Sequence, residues 1–243
     1  MIKTLYDVEC FPAEGLTWGN KYEANIIKFT KLKRICCFAW KEHNTGKVHW
    51  RGLPSYARYR KNKEDFRELL EELCHVQNKS NLLIGHNVKK FDNRQVNKGL
   101  ILNGLDPAIP YKTVDTLKVA RQYFDFESNS LNDLAEFLGV GSKVKHPGLQ
   151  LWLDCMAGDM KAWALMEKYN KGDVSLNEKI FNKELPFIQN IPSLFPKNRE
   201  KCRKCHSDNT VFSGVYHNQK GEYKRYKCKN CPTWSLVLVK LWE

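Results

Sequence analysis

Ile2-Lys3-Thr4-Leu5-Tyr6-Asp7-Val8-Glu9 opens the chain as an apolar strand that ends in two carboxylates. Asp7 and Glu9 stand at i and i+2, so an extended backbone sends both side chains to one face. Two like charges that close repel unless a cation lies between them. Hard divalent cations such as Mg²⁺ or Mn²⁺ take oxygen ligands, and paired carboxylates at a strand end can begin such a site. Asp-x-Glu alone is a weak signal that reads first as a solvated strand end. The reading therefore turns on whether further carboxylates arrive at the same place.

Two more candidates lie downstream. Lys63 to Val76 carries Phe66, Leu69, Leu70 and Leu73 at amphipathic helix spacing. Asn81-Leu82-Leu83-Ile84-Gly85-His86 follows as a short buried strand, and a strand-helix-strand unit of this size implies parallel pairing. Asp92 comes just past that strand, after His86, Asn87 and Phe91, where a helix over Asn93 to Leu102 begins. Open α/β sheets gather their ligands at that edge, although Asp92 also fits a plain helix N-cap. The third candidate falls in Asp159 to Glu184, helical by pattern. Tyr169 and Asp173 stand one turn apart on one face there, and a phenol beside a carboxylate could orient a water on a metal. Gly172, costly by about 1 kcal/mol in a helix interior, marks a kink or a close approach of another backbone.

The remaining segments frame these motifs. Phe11 to Tyr22 reads as a loop beside the first carboxylates, and Phe11, Trp18 and Tyr22 could stack on bases or pack in the core. Arg34 to Trp40 and Lys47 to Trp50 read as strands joined through Asn44-Thr45-Gly46, giving an antiparallel three-stranded start. Cys36 and Cys37 are neighbours on a strand, face opposite sides and suit the core rather than a metal. Tyr111 to Thr116 is a strand followed by a helix to about Phe124, and Asp115 at its end is a site candidate or a helix cap. Ser130 to Gly139 has an N-cap serine, an acid at the third helical position and a terminating glycine. The loop from Gly139 to Gly148, with Lys143, Lys145 and His146, is either solvated or a contact for a phosphate backbone.

In order, spacing and setting, Asp7-Val8-Glu9, then Gly85-His86-Asn87 with Phe91-Asp92, then Tyr169-x-x-x-Asp173 resemble the three motifs of the DnaQ-like 3′–5′ exonucleases. The branch is the tyrosine-motif one, similar to proofreading domains of family B DNA polymerases and to stand-alone phage exonucleases. The resemblance covers about residues 1 to 190 and includes Val114-Asp115-Thr116-Leu117. It implies an RNase H-like fold, a mixed sheet flanked by helices, and phosphodiester hydrolysis with two Mg²⁺ or Mn²⁺ ions. It implies that Asp7, Glu9 and Asp173 hold the first ion, that Asp7 bridges to the second, and that Asp92 helps hold that second ion. Tyr169 would orient the attacking water, while His86, Asn87, Phe11 and Lys143 would contact substrate. Two cations roughly 4 Å apart relieve the repulsion between hydroxide and an anionic phosphodiester.

Composition agrees with a polyanionic partner. The 243 residues carry a net charge of +13, which points to nucleic acid ahead of membrane. No apolar signal core opens the chain and no apolar run approaches a membrane span, so a cytoplasmic enzyme is expected, in a bacterial or phage-infected cell for instance. Nine cysteines, an odd number, fit a reducing compartment better than a disulfide framework. The length leaves no room for a polymerase domain, so a free-standing enzyme or a separate subunit beside a polymerase or other replication protein is expected.

Residues 197–243 form a second expected domain. They hold 11 Lys and Arg against 4 Asp and Glu, a net +7 of the +13. Cys202-x-x-Cys205 and Cys228-x-x-Cys231 lie about 22 residues apart, and Thr210 to Tyr226 between them reads as a hairpin turning near Asn218 to Gly221. Four thiolates in two close pairs suit one tetrahedral Zn²⁺ in a zinc ribbon, and a hairpin with so little core needs such a staple. Here His206 and Pro232 stand where such knuckles often have glycine, which leaves open His206 or His217 in place of a cysteine. The basic module, with Tyr216, Tyr223, Tyr226 and Trp234, suits nucleic acid or a protein partner. A catalytically silent binding module and an RNA-trimming enzyme remain the alternatives to a DNA exonuclease.

Overall fold

The computed structural model describes residues 2–19, 25–188, 201–202, 204–205, 207–231 and 233–242. Its elements in chain order are β1 (Lys3–Phe11), β2 (Glu14–Leu16), β3 (Lys28–Lys31), β4 (Arg34–Glu42), β5 (His49–Gly52), α1 (Ala57–Lys61), α2 (Arg67–Lys79), β6 (Leu82–Gly85) and α3 (Asp92–Leu102). There follow β7 (Lys112–Asp115), α4 (Thr116–Tyr123), α5 (Leu131–Phe137), α6 (Leu149–Ala157), α7 (Met160–Glu184), β8 (Thr210–Asn218), β9 (Gly221–Cys228) and β10 (Trp234–Leu241).

Five strands form a mixed sheet in the order β5-β4-β1-β6-β7. β1 lies at its centre, antiparallel to β4 and parallel to β6, so the expected antiparallel start and parallel crossover are both present. Every residue of β6 is buried, as an apolar run in the middle of a sheet requires. Alternation along β1 decides which helix meets which side chain. Leu5 packs with Ile84, Val114, Val174 and Phe181, on the side covered by α7. Tyr6 and Val8 point the other way, into a cluster with Leu69, Leu73, Val96 and Leu100 of α2 and α3. Burying each such large side chain is worth about 1.5–3 kcal/mol. Asp7 and Glu9 share the parity of Leu5 and so face α7.

Three elements differ from the sequence reading. The stretch after Phe11 is not all loop, because β2 and β3 pair as a short antiparallel hairpin. α6 occupies a segment read only as following a basic loop. A third strand, β10, joins the C-terminal hairpin to give the antiparallel order β10-β9-β8. Gly221 is required in that sheet, since a Cβ there would meet the Lys240 carbonyl oxygen at 2.1 Å. Tyr22, His206, Pro232 and the expected boundary between residues 190 and 197 lie outside the described residues. Among the described residues no helix is long and apolar enough to cross a membrane.

Candidate active site

The β1 carboxylates meet α7. Ligand oxygens of Asp7, Glu9 and Asp173 lie within 4.8 Å of one another. A bulge in the β1–β4 pairing falls between Glu9 and Cys10, just past the acidic pair, where such irregularities re-aim side chains. Asp173 is 3 % exposed, and its Oδ1 is buried with no hydrogen-bond partner among the described residues. Its Oδ2 takes a 2.7 Å ion pair from Lys143 Nζ, which also donates to the Tyr169 hydroxyl at 2.9 Å. Lys143 thus stands inside the cluster rather than on a solvated loop. Gly172 makes this possible, because the loop's Val144 Cγ2 sits where a Cβ would approach to 3.1 Å. The close approach expected at Gly172 is made by a side chain.

Electrostatics follow from this crowding. Burial, then the neighbouring Asp92, Glu9 and Asp173 charges, hold the Asp7 carboxyl well above its usual range. Burial and Asp173 push Glu9 up to about 8, against Lys143. Burial likewise raises Asp173, against the same lysine. Tyr169 is held up by burial and by Glu9 and Asp173, so it remains a neutral phenol. Three hard oxygen donors that disfavour their own ionisation, one of them with an orphaned buried oxygen, fit a divalent cation.

Asp92 stands beside this group, not within it. It is 2 % exposed at the first turn of α3, and its Oδ1 accepts the Val8 backbone N–H at 3.0 Å. Burial lifts it to about 7, opposed by that hydrogen bond. The N-cap alternative does not hold, since the cap residue is Phe91. Asp115 supports the same region: Oδ1 accepts from Asn87 N at 2.9 Å and Oδ2 from Lys89 N at 3.2 Å. It shapes the turn before Asp92, where Asn87 adopts φ 61, instead of capping α4 with its side chain.

Two expected substrate contacts are corrected. Phe11 is 2 % exposed and meets Trp163 edge-on at 5.9 Å, so its ring belongs to the core and offers no face to a base. His86 engages both ring nitrogens within the protein, Nδ1 with Thr116 Oγ1 at 2.9 Å and Nε2 with the Asn129 carbonyl at 3.0 Å. Burial pulls its pKa down to about 4, and it acts as a strut. Trp18, by contrast, is 93 % exposed.

Sequence reasoning missed two residues of the site. Asn170, fully buried, donates to Asp7 Oδ2 at 2.7 Å and fixes that carboxylate. The indole of Trp152 on α6 donates to Glu9. Asn170 had a signal, since Tyr169, Asn170, Asp173 and Asn177 interrupt the apolar stripe of α7 with buried polar groups. Trp152 had none.

The four tail cysteines also converge. Sγ–Sγ distances are 3.5 Å for Cys202–Cys231 and Cys205–Cys228 and 3.6 Å for Cys205–Cys231. These are close to the ~3.8 Å edges of a tetrahedron with Zn–S bonds of about 2.3 Å, so the group could bind zinc. All four are free thiols, not disulfides. Although burial opposes it, the Asn230 backbone N–H and the Cys205 thiol hold Cys228 down to about 7. His217 is no ligand, for it pairs with Glu222 toward the far end of β8 and lies against Trp242.

Residues 59–157 match the exonuclease family model RNase_T. That stretch is therefore similar to exonuclease domains of the DnaQ-like, RNase H-like type. The matched stretch includes Asp92, Trp152 and Lys143; Asp7, Glu9, Tyr169 and Asp173 flank it. Among solved structures, this domain's chain resembles the family B DNA polymerase from the hyperthermophilic archaeon Pyrobaculum calidifontis, at 15% identity and a TM-score of 0.56. That likeness covers 76% of this chain and 24% of the polymerase, and it concerns the fold. No curated protein matches the chain by sequence.

Proposed function

We propose that the protein is a metal-dependent 3′–5′ exonuclease acting on single-stranded or frayed DNA ends in replication, repair or proofreading. The observation that carries this reading is the convergence of Asp7, Glu9 and Asp173 beside Tyr169 and Lys143 in an exonuclease-type domain. Two Mg²⁺ or Mn²⁺ ions held by Asp7, Glu9 and Asp173, with Asp92 as the further ligand, would supply an activated water and neutralise the phosphate. The chain's own groups have distinct tasks. The neutral Tyr169 hydroxyl orients the attacking water, and Lys143, released from Asp173, meets the scissile phosphate. Asn87, whose side chain has no hydrogen-bond partner among the described residues, is free to touch the terminal nucleotide. The water oxygen joins phosphorus, the bond to the 3′ oxygen breaks, and a nucleoside 5′-monophosphate leaves.

The reading extends to the tail. Residues 1–190 would form the nuclease and 197–243 a zinc ribbon, with one structural Zn²⁺ on Cys202, Cys205, Cys228 and Cys231. A separate DNA polymerase or other replication protein is the proposed partner, in a cytoplasmic setting.

Digestion of a 5′-labelled single-stranded DNA with Mg²⁺, beside an Asp7→Ala control and a matched RNA, tests this. A ladder shortening from the 3′ end is expected, slowed by at least about 10³-fold in the control, as loss of several kcal/mol of transition-state stabilisation implies. A ladder in the RNA lane alone makes the enzyme an exoribonuclease. Intact substrates in both lanes, despite binding, make the fold a nucleic-acid scaffold.

A further inference from the structure

The outward face of the C-terminal sheet has a composition of its own. Pairing sets Trp234 opposite Lys227, Leu236 opposite Arg225 and Leu238 opposite Tyr223 on one side of β9, while β8 places Tyr216 opposite Tyr223. Because side chains alternate, all of these share one face. The opposite face carries Tyr226, Cys228 and Ser235, all buried. On the outward face Trp234 is 48% exposed and Tyr216 41%. Arg225 and Lys227 lie over the Trp234 ring, at 5.2 and 5.8 Å from its centroid. Arg225 is held there by donating from Nε to the Ser213 carbonyl at 3.1 Å. No position of this face in the three strands is acidic, since Glu222 falls on the other side.

We propose that this face is a second nucleic-acid site, separate from the carboxylate cluster, which binds an unpaired strand by stacking a base on Trp234 and pairing phosphates with Arg225 and Lys227. An exposed indole with two cations over it, one of them fixed by a backbone carbonyl, is a stacking platform with its own counter-charge. The base must be unpaired, because a duplex keeps its π faces inside the stack. Charge decides between polyanion and protein. Beside its exposed indole the face holds two cations and no acid, a charge pattern that draws phosphate. Tyr216 and Tyr223, four strand positions or about 13 Å from Trp234, extend the platform toward a neighbouring base.

The test uses the full chain with Asp7→Ala, so that the probe survives and the outcome does not depend on cleavage. Binding of a labelled oligothymidylate is followed by anisotropy over a range of salt. Trp234→Ala is expected to weaken binding about tenfold or more, and Trp234→Phe to keep most of it, as loss and retention of one stacked base imply. Arg225→Ala with Lys227→Ala should flatten the slope of log affinity against log salt by about 1.4, at 0.7 per lost phosphate contact on a single strand. Metal content confirms that each variant retains its cysteine site. Should Trp234→Ala lose its metal, Tyr216→Ala on the edge strand carries the test, with a smaller drop expected. Affinity and salt slope unchanged in the metal-retaining variants would overturn the proposal and leave the face to a protein partner. In the Asp7-intact protein, cleavage of a dinucleotide, which offers no further strand for the sheet to hold, should be unaffected by all of these changes.

Discussion

The carboxylate cluster and the cysteine cluster stand in opposite relation to the structure around them. Asp7, Glu9 and Asp173 are carried by β1 and α7, which are already fixed by some of the largest buried side chains of the molecule, among them Tyr6, Phe38 and Phe181. The fold there holds three acids together at an electrostatic cost. Among the described residues of the C-terminal module the buried apolar ones are Cys202, Tyr226 and Cys228, two of them thiols of the cluster itself. A three-stranded sheet with one buried tyrosine has almost no core, so its site must hold the fold. One region spends stability to build a site; the other derives its stability from one.

Metal removal gives the largest test of that contrast. Stripping the proposed zinc with a chelator, or replacing Cys228 with Ser, should unfold β8 to β10 outright, because metal binding in such modules is worth about 10–16 kcal/mol of folding free energy. Amide exchange should show those strands losing protection while β1, β4 and β6 keep theirs. Asp7→Ala should do the reverse, abolishing cleavage while leaving the melting temperature unchanged or higher, since it relieves repulsion with Glu9 and Asp173. Persistent protection in β8 to β10 without metal would break the comparison.

Glu184 sharpens it at intermediate scale. It sits at the end of α7, 1% exposed, and neither carboxyl oxygen has a hydrogen-bond partner among the described residues. Burial, with Asp115 nearby, pushes it up to about 8 from 4.5. A carboxyl whose folded pKa is raised takes up a proton on folding. Its favourable contribution is therefore complete below pH 4.5 and lost as pH rises through 8, an effect on the order of a few kcal/mol. The melting temperature of the wild type should fall between pH 5 and pH 8.5 by roughly 5–10 °C more than that of Glu184→Gln. Parallel pH profiles would show that this core tolerates an ionised carboxylate and that the cost assigned to the Asp7 cluster is overstated.

The parts that were legible in the sequence are those where one physical pattern acts alone. Apolar runs marked β1 and β4, helical patterns marked α2 and α7, and the Ser130 cap with Gly139 bounded α5. The paired Cys-x-x-Cys motifs located the sulfur cluster for the same reason, since ligand spacing is local. Failures came where tertiary packing chose between two roles. Parity does put Phe11 on the α7 side with Asp7 and Glu9, but Trp163 in the first turn of α7 covers it. His86 lies beside the acidic motif in sequence, yet Thr116 and Asn129 capture its ring. α6 follows Gly148 without a side-chain cap, and β2 and β3 are too short to show a period. Lys143 was legible as a loop cation for substrate but not as a partner of Asp173, since nothing local tells a lysine that reaches a carboxylate from one that meets water or phosphate.

That last placement leads to the smallest effect expected. Gly172 lies inside α7, where alanine would gain about 1 kcal/mol of helix propensity. An added Cβ would stand 3.1 Å from Val144 Cγ2, so the loop next to Lys143 must yield by a few tenths of an ångström. The two terms oppose each other in stability, and Gly172→Ala should melt within about 1 kcal/mol of wild type. They do not oppose each other in catalysis, because a displaced Val144 moves Lys143 away from Asp173 and Tyr169. Cleavage should fall several-fold, as small misplacements in active sites do. Val144→Ala removes the methyl that collides, so the double variant should recover cleavage while keeping the added helix propensity. Recovery would establish that the glycine serves the loop and not the helix. A loss of cleavage that Val144→Ala cannot repair would mean that the alanine acts on α7 itself, shifting Asp173, and the carboxylate cluster would then depend on a helix less rigid than its buried face implies.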